Sequence, residues 1–331
     1  MTSLDLITPC RNRAEHLLRS LPSWLACPRV DRILIVDFSA SPPLLPQLAG
    51  FDLTRVTVIR VEDEPIWRLG RAQNVALRYS RSDLILNINA DIEVVAIDPY
   101  LEAMEGNPRL YYRGFSKRGT SSGSCLFRRR QGQRCGGWHD HMSGWGGDDL
   151  DFYERMRRRG QRAALFDAAS FREIRQRMES KNSDEAPRLD SQLLQNQPDL
   201  VCQPRFTGVR NTLLSVLRQQ NRQRAFRYRF HADPDQPHLV QARLRGRSHL
   251  ELAIGQYSVE LANILTIHHY RPDLHPSEVM ATPTYAEIVE RHALPPARNR
   301  QQRRQLLAEL PQRLNQLRSL ADQLGVPTLP H

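Results

Sequence analysis

The opening of the chain alternates short apolar runs with segments of helical periodicity, and this alternation narrows the possible folds more than any other feature. Leu4 to Thr8 and Ile33 to Val36 are apolar without helical spacing, Val56 to Val61 alternates, and Leu84 to Ile88 is nearly continuous. Four strands are predicted there. Between them, Ala14 to Leu25 and Arg71 to Tyr79 carry helical spacing. Strands alternating with helices imply a parallel sheet covered on both faces, an α/β arrangement. Ligands of such sheets bind at the carboxyl ends of the strands, so Pro9 to Arg13, Asp37 to Ser39 and Asn89 to Asp91 are expected along one edge.

With 331 residues the chain can bury one large domain plus a smaller appendage. Apolar residues at 40% and charged residues at 25% are ordinary for a globular protein and exclude wholesale disorder. No apolar run approaches the ~18 residues of a spanning helix, and neither a signal peptide nor an anchor is expected. Cys10, Cys27, Cys125, Cys135 and Cys202 are odd in number and form no C-x-x-C pair, which suits a reduced, cytoplasmic setting. The formal charge of +11 is carried by arginine, since Lys117 and Lys181 are the only lysines. Arginine clamps phosphate bidentately, so the balance suits a polyanion or a diphosphate, or else reflects a plain compositional bias.

Further along, Asp233 to His238 reads as punctuation after an arginine-rich stretch. The expected division is a first domain over 1–217 and a mostly helical region over 218–331. Leu307, Leu310, Leu314, Leu317 and Leu324 form one apolar seam, which Pro311 is expected to kink or interrupt. The seam can pack in cis or form a homodimer, and packing in cis is favoured because fewer than four heptads is short for a coiled coil.

Two motifs carry chemistry. Asn89-Ala90-Asp91 follows a strand, where its carboxylate would be a hard oxygen ligand, although a plain turn reads the same way. Gly144-Trp145-Gly146-Gly147-Asp148-Asp149-Leu150-Asp151 precedes a helical run from Phe152 to Arg159 and is far more specific. Its glycines let backbone amides approach a phosphate, its indole offers a flat face to a sugar ring, and its acids sit at a helix N-terminus. Paired carboxylates there can divide the work, one orienting a hydroxyl and the other taking its proton. Simple N-capping explains the acids but not the tryptophan between glycines. His139 and His141 lack further metal ligands nearby and read as acceptor-side loop residues. The basic runs Arg128 to Arg130 and Arg155 to Arg159 lack stacking aromatics, which argues against nucleic acid and for a solvated face or an anionic-acceptor surface.

These residues resemble the GT-A-fold glycosyltransferases, close to glycosyltransferase family 2 and the β-1,4-galactosyltransferases. Pro9-Cys10-Arg11-Asn12-Arg13 matches the galactosyltransferase opening Pro-Phe-Arg-Asn-Arg at four of five positions, and Gly144 to Asp151 matches Gly-Trp-Gly-Gly-Glu-Asp-Asp-Asp with Asp148 for Glu and Leu150 for the third acid. Arg71-Ala72-Gln73-Asn74-Val75 resembles the helix after the nucleotide-contacting aromatic, which Trp67 would supply. The resemblance implies a nucleotide-sugar-binding sheet and a UDP-sugar donor, with galactose or N-acetylgalactosamine as the guess. It also implies a glycan or glycolipid acceptor, a divalent Mn²⁺ or Mg²⁺, and inversion by single displacement. By position it places Pro9, Arg11, Arg13, Asp37, Trp67, Arg71 and Asn89 on the nucleotide and Asp91 on the metal. Trp145, Gly146 and Gly147 then face the donor sugar and phosphates, Asp149 is the general base, and Asp148 holds the acceptor.

Two departures matter. Asn89 stands where the resemblance expects an aspartate. Arg172 to Gln176 resembles Arg-Met-Ile-Arg-His, so that Glu173 and Gln176 would replace a thioether and an imidazole as metal ligands. Two oxygen donors make a harder site, suited to Mg²⁺ or Mn²⁺. The alternatives stay open: ligation by Glu173 and Gln176, or a solvated pair beside a metal held by Asp91 and phosphates alone.

Overall fold

The computed structural model describes residues 2–114, 123–144, 146–174, 206–220, 223–246, 249–270, 285–295 and 299–326. Strands β1 (Leu4–Cys10), β2 (Arg32–Phe38), β3 (Val56–Val61) and β4 (Leu84–Asn87) alternate with helices α1 (Ala14–Leu25) and α2 (Leu69–Tyr79), as predicted. There follow β5 (Ile92–Val94), α3 (Asp98–Gly106), β6 (Leu110–Arg113), β7 (Cys125–Arg128), α4 (Arg129–Arg134), α5 (Asp148–Arg158), β8 (Arg162–Leu165) and β9 (Phe171–Glu173). Next come α6 (Phe206–Gln220), β10 (Tyr228–Ala232) and β11 (Leu239–Leu244), then α7 (His249–Tyr270), α8 (Tyr285–His292) and α9 (Arg300–Gln323).

Nine strands form one mixed sheet in the order β10-β11-β3-β2-β1-β4-β7-β6-β8. Its centre, β11 through β4, is parallel, while β7 and β10 run antiparallel to their neighbours. The central strands are buried on both faces, and their side chains divide by parity. Leu4, Leu6, Ile33, Ile35, Val56 and Leu86 pack with Leu17 and Leu21 of α1, whereas Ile7, Leu34, Val36 and Ile85 pack with Val75 of α2 and Phe152 of α5. Register is fixed by Asp5, a fully buried carboxylate beside Arg32. It accepts from Arg32 Nε and Nη2 at 3.0 and 2.7 Å, from Ser82 Oγ at 2.6 Å and from Ser80 Oγ. Burial alone would raise its pKa, but these bonds overcome it and hold the carboxyl below the ordinary value.

The sheet continues beyond residue 217. Asp233 to His238 is the turn of the β10–β11 hairpin, and β11 pairs in parallel with β3 from Leu239↔Val58 to Gln241↔Arg60. The remaining C-terminal segments are helical and share a separate core of Leu214, Leu217, Leu261, Leu265, Ile288 and Leu317. Helix α9 runs through Pro311 without interruption, against expectation. Its buried seam is Leu306, Leu310, Leu317, Leu320, Ala321 and Leu324, while Leu307 points outward at 41% exposure. The seam is therefore offset by one residue from the predicted one at its start, and it packs in cis within the helical core. Among the described residues no helix is long and apolar enough to cross a membrane.

Candidate active site

Three parallel strands end in loops that share one conformation. Asn12, Ser39 and Asp63, just beyond β1, β2 and β3, have φ of 54°, 54° and 59°, a region costly for side-chain-bearing residues and held only when neighbours over-determine it. The neighbours are visible. Asn12 Oδ1 accepts from Ser41 N at 2.9 Å; Ser39 Oγ donates to Val61 O at 2.9 Å and accepts from Glu64 N at 3.0 Å. Arg11 closes the series, donating through Nη1 to Glu64 O at 3.0 Å and through Nη2 to Pro65 O at 3.3 Å.

Pro9 is buried in β1, and Arg13 occupies the N-cap position of α1. Asp37 is buried at the end of β2, where its carboxylate accepts from Ala40 N at 3.0 Å and Leu44 N at 2.9 Å and pairs with Arg60 Nη1 at 2.6 Å. Trp67 is half-buried and meets the Phe38 ring edge-on at 5.7 Å. Arg71 is buried in an internal network: it pairs with Glu64 at 2.9 Å, donates to Tyr228 Oη at 3.0 Å and lies 4.6 Å from the Phe226 ring centre. Arg71 also lines a cavity of 720 Å³ between the 61–68 segment, β11 and α7.

The acids of the β4 edge gather around the same strand ends. Asp91 is buried in the turn between β4 and β5, and its carbonyl accepts from Ile174 N at 2.8 Å. Glu173 is exposed and stands opposite Ile92 across the β5–β9 ladder. Asn89 is half-buried, its amide 3.8 Å from where a Cβ on Gly123 would lie. The Cys10 thiol, at the tip of β1, is pushed up to about 12 by burial first and then by the charges of Asp37 and Asp91. Cys125, opposite Asn87 in the β4–β7 pair, is raised by burial and then, among charges, by Asp149. Asp37 thus ends β2 and Asp91 follows β4, the two strands that flank β1.

Helix α5 starts where a glycine is obligatory. Gly147, its N-cap, has φ +91°, and a Cβ there would come within 2.9 Å of Asn211 Cβ. Asp148, Asp149 and Asp151 fill the first turn, yet they differ in environment. Asp151 pairs with Arg155 at 2.5 Å and accepts from Ser215 Oγ at 2.6 Å; burial opposes its charge, but Arg155 wins and its carboxyl is lowered. Asp148 is pushed up to about 7, by burial and then by Asp149, and Asp149 is raised by burial against the pull of the Leu150 N–H and Arg113. One acid is structural, and the other two are raised above the ordinary carboxylate value, Asp148 to about 7, where a carboxyl can exchange a proton.

Two further residues shape this loop and carry no sequence signal. Arg210 Nη2 donates to Ser143 O and Oγ at 2.7 Å each, and Asn211 Nδ2 donates to Gly146 O at 2.6 Å and Ser143 O at 3.2 Å. Both are buried on α6, more than sixty residues downstream of Ser143 and Gly146, which they hold. Trp145 and Gln176 lie outside the described residues. His139 and His141 lie on the loop before α5, as read from the sequence, and are buried there at 1% and 6% exposure, under α6 and α7. Burial holds His139 at about 3 and His141 well below the usual range, so both are neutral. Among the described residues no three His, Cys, Asp or Glu side chains gather as a ready-made cation site. Asp91 supplies one buried carboxylate, which fits a hard cation taking its other ligands from phosphate and water.

Residues 106–179 match the family model described as the N-terminal domain of galactosyltransferase. A comparison with curated protein sequences found no significant match. Among solved structures, the catalytic domain of Drosophila beta1,4-galactosyltransferase 7 with xylobiose is 15% identical, covering 74% of this chain and 94% of that one at a TM-score of 0.43. The mannosyltransferase PcManGT from Pyrobaculum calidifontis, in complex with GDP-Man and Mn²⁺, is 14% identical, covering 98% and 84% at a TM-score of 0.45. The segment matched by the family model contains the glycine-rich loop, its acids and the β9 strand.

Proposed function

We propose that the chain transfers a hexose from a UDP-sugar to a glycan or glycolipid hydroxyl, with inversion in a single displacement. The carrying observation is the pair Asp148 and Asp149 in the first turn of α5, directly after the glycine-rich loop, both raised above the ordinary carboxylate value by burial. Asp149 takes the acceptor proton as general base, and Asp148 holds the acceptor sugar by hydrogen bonds. Arg11, Arg13, Asp37, Trp67, Arg71 and Asn89 form the nucleotide side, and Gly146 and Gly147 present backbone to the donor. Trp145 completes that loop against the sugar ring. Asp91 would hold Mn²⁺ or Mg²⁺ together with phosphate oxygens, with Glu173 and Gln176 as further oxygen donors or else as a solvated pair beside it; the ion would supply charge neutralisation of the departing diphosphate. Galactose or N-acetylgalactosamine is the favoured donor, from the glycine-tryptophan motif and the family match.

A screen of UDP-sugars for hydrolysis, with and without Mn²⁺, tests this reading. Metal-linked UDP release is expected with at least one sugar and is lost in Asp149→Asn. A second reading, a non-catalytic binder of nucleotide or glycan, is favoured by Asn89 in place of an acid. It predicts UDP binding without hydrolysis of any sugar tested.

A further inference from the structure

At the far end of α5, a cleft of 450 Å³ opens between that helix, the end of α6 and the 223–227 segment. Seven of its lining side chains are arginines and none is acidic. They come from separate elements, so no single helix repeat explains the cluster. Arg155 and Arg218 form the floor, where Arg155 is tied to Asp151 and Arg218 donates through Nη2 to Gly136 O at 2.8 Å. Nη1 of Arg218 is 3.5 Å from Asp151, is buried, and makes no hydrogen bond. On the rim, Arg78 reaches Ala225 O at 3.3 Å, and Arg227 stands beside it. The side chains of Arg134, Arg159 and Arg224 make no hydrogen bond or salt bridge among the described residues.

Among the described residues three carboxylates act on this cluster: Asp151, paired with Arg155 and 3.5 Å from Arg218; Asp140, whose charge is felt by Arg78 and Arg218; and Glu251, which accepts from Arg224 N at 3.1 Å. Among the described residues seven guanidiniums therefore outnumber the acids that act on them. The crowding is felt: burial and then Arg155 bring Arg218 down to about 10, and burial lowers Arg78 with Arg227 and Arg245 adding to it. An anion entering the cleft relieves that repulsion. Guanidinium forks match phosphate oxygens bidentately. No aromatic side chain lines the cleft, so base stacking of the kind that holds single-stranded nucleic acid has no platform there.

We infer that this cleft is a phosphate-binding site, separate from the nucleotide edge, that takes a ligand carrying at least two phosphate charges. From Asp149 to Arg159 the helical rise of ~1.5 Å per residue amounts to about 15 Å, so the two sites sit at opposite ends of one helix. A phosphate-bearing ligand seated here leaves the carboxylate pair free.

Calorimetric titration of the full chain with inorganic tripolyphosphate, at about 50 and about 200 mM salt and with UDP and Mn²⁺ added in excess, tests the assignment. Binding is expected to persist beside UDP and to weaken with salt. The variant Arg134→Ala/Arg159→Ala should weaken it about tenfold or more, the loss expected for one or two charge-assisted hydrogen bonds. Arg157→Ala/Arg162→Ala removes the same charge from exposed positions that do not line the cleft, Arg157 being paired with Glu154 at 2.7 Å, and affinity should hold. Displacement by UDP, equal weakening in both double variants, or unchanged affinity in the first would overturn the site. None of these readouts depends on transferase activity.

Discussion

Replacing Asp148 by Asn isolates the cost of holding a carboxyl at the start of α5. Its pKa is raised from 3.8 to about 7, by burial and then by Asp149, so the folded chain binds a proton more tightly than the unfolded one. A raised acid contributes stability that is fully present below pH 3.8 and lost as pH climbs through about 7. About three units at ~1.4 kcal/mol each sets a ceiling near 4 kcal/mol. The group keeps partial access to water and shares its titration with Asp149, which brings the expected penalty at pH 8 to about 1–2 kcal/mol. The helix N-terminus works the other way, favouring the charge by ~0.3–1 kcal/mol, and is the smaller effect. Asp148→Asn should therefore match wild type near pH 4 and melt about 2–6 °C higher at pH 8, by thermal denaturation followed across that range. A difference that does not change with pH, or a wild type that gains relative to the variant as pH rises, would refute the assignment.

Asn211→Ala removes both donors to Ser143 O and Gly146 O, worth ~1–3 kcal/mol of loop order, and should lower turnover of an accepted UDP-sugar roughly tenfold or more while UDP affinity is kept. Gly137→Ala places a Cβ 2.0 Å from Asn74 Oδ1 at φ +65°, and should cost roughly 2–5 kcal/mol in urea denaturation. Asp5→Ala strands Arg32, Ser80 and Ser82 and should cost ~3–5 kcal/mol by the same assay. The lowered Asp5 carboxyl adds that wild-type stability is lost as pH falls below the ordinary carboxylate range, and this acid sensitivity should be weaker in the variant.

The central sheet was legible because its strands are buried on both faces, so their apolar runs need no partner to be read. Val56 to Val61 and Ala14 to Leu25 coincide with β3 and α1 to the residue. The β10–β11 hairpin was not, since Tyr228-Arg229-Phe230-His231-Ala232 alternates with polar residues at an edge, and its punctuation resembles a linker. In α9 the leucine spacing is satisfied by more than one face, and only packing chooses Leu306 over Leu307. The Gly144 to Asp151 motif announced a helix start with acids, but not which acid is paired inward. Asp151 is distinguished by Arg155 and by Ser215, a residue of another helix. The depth of His139 and His141 was not legible for the same reason, because burial beneath distant helices leaves no local mark.

The parallel pairing of β11 with β3 bears on how the chain can be shortened. A chain ended at residue 217 would lack Leu239–Leu244 and leave the outer hydrogen-bonding side of Val56–Val61 bare. That strand has Val, Ile and Thr at most positions and a largely buried surface, the composition that recruits another chain when left open. Such a truncation is expected to self-associate, and retaining residues through 244 should keep it dispersed.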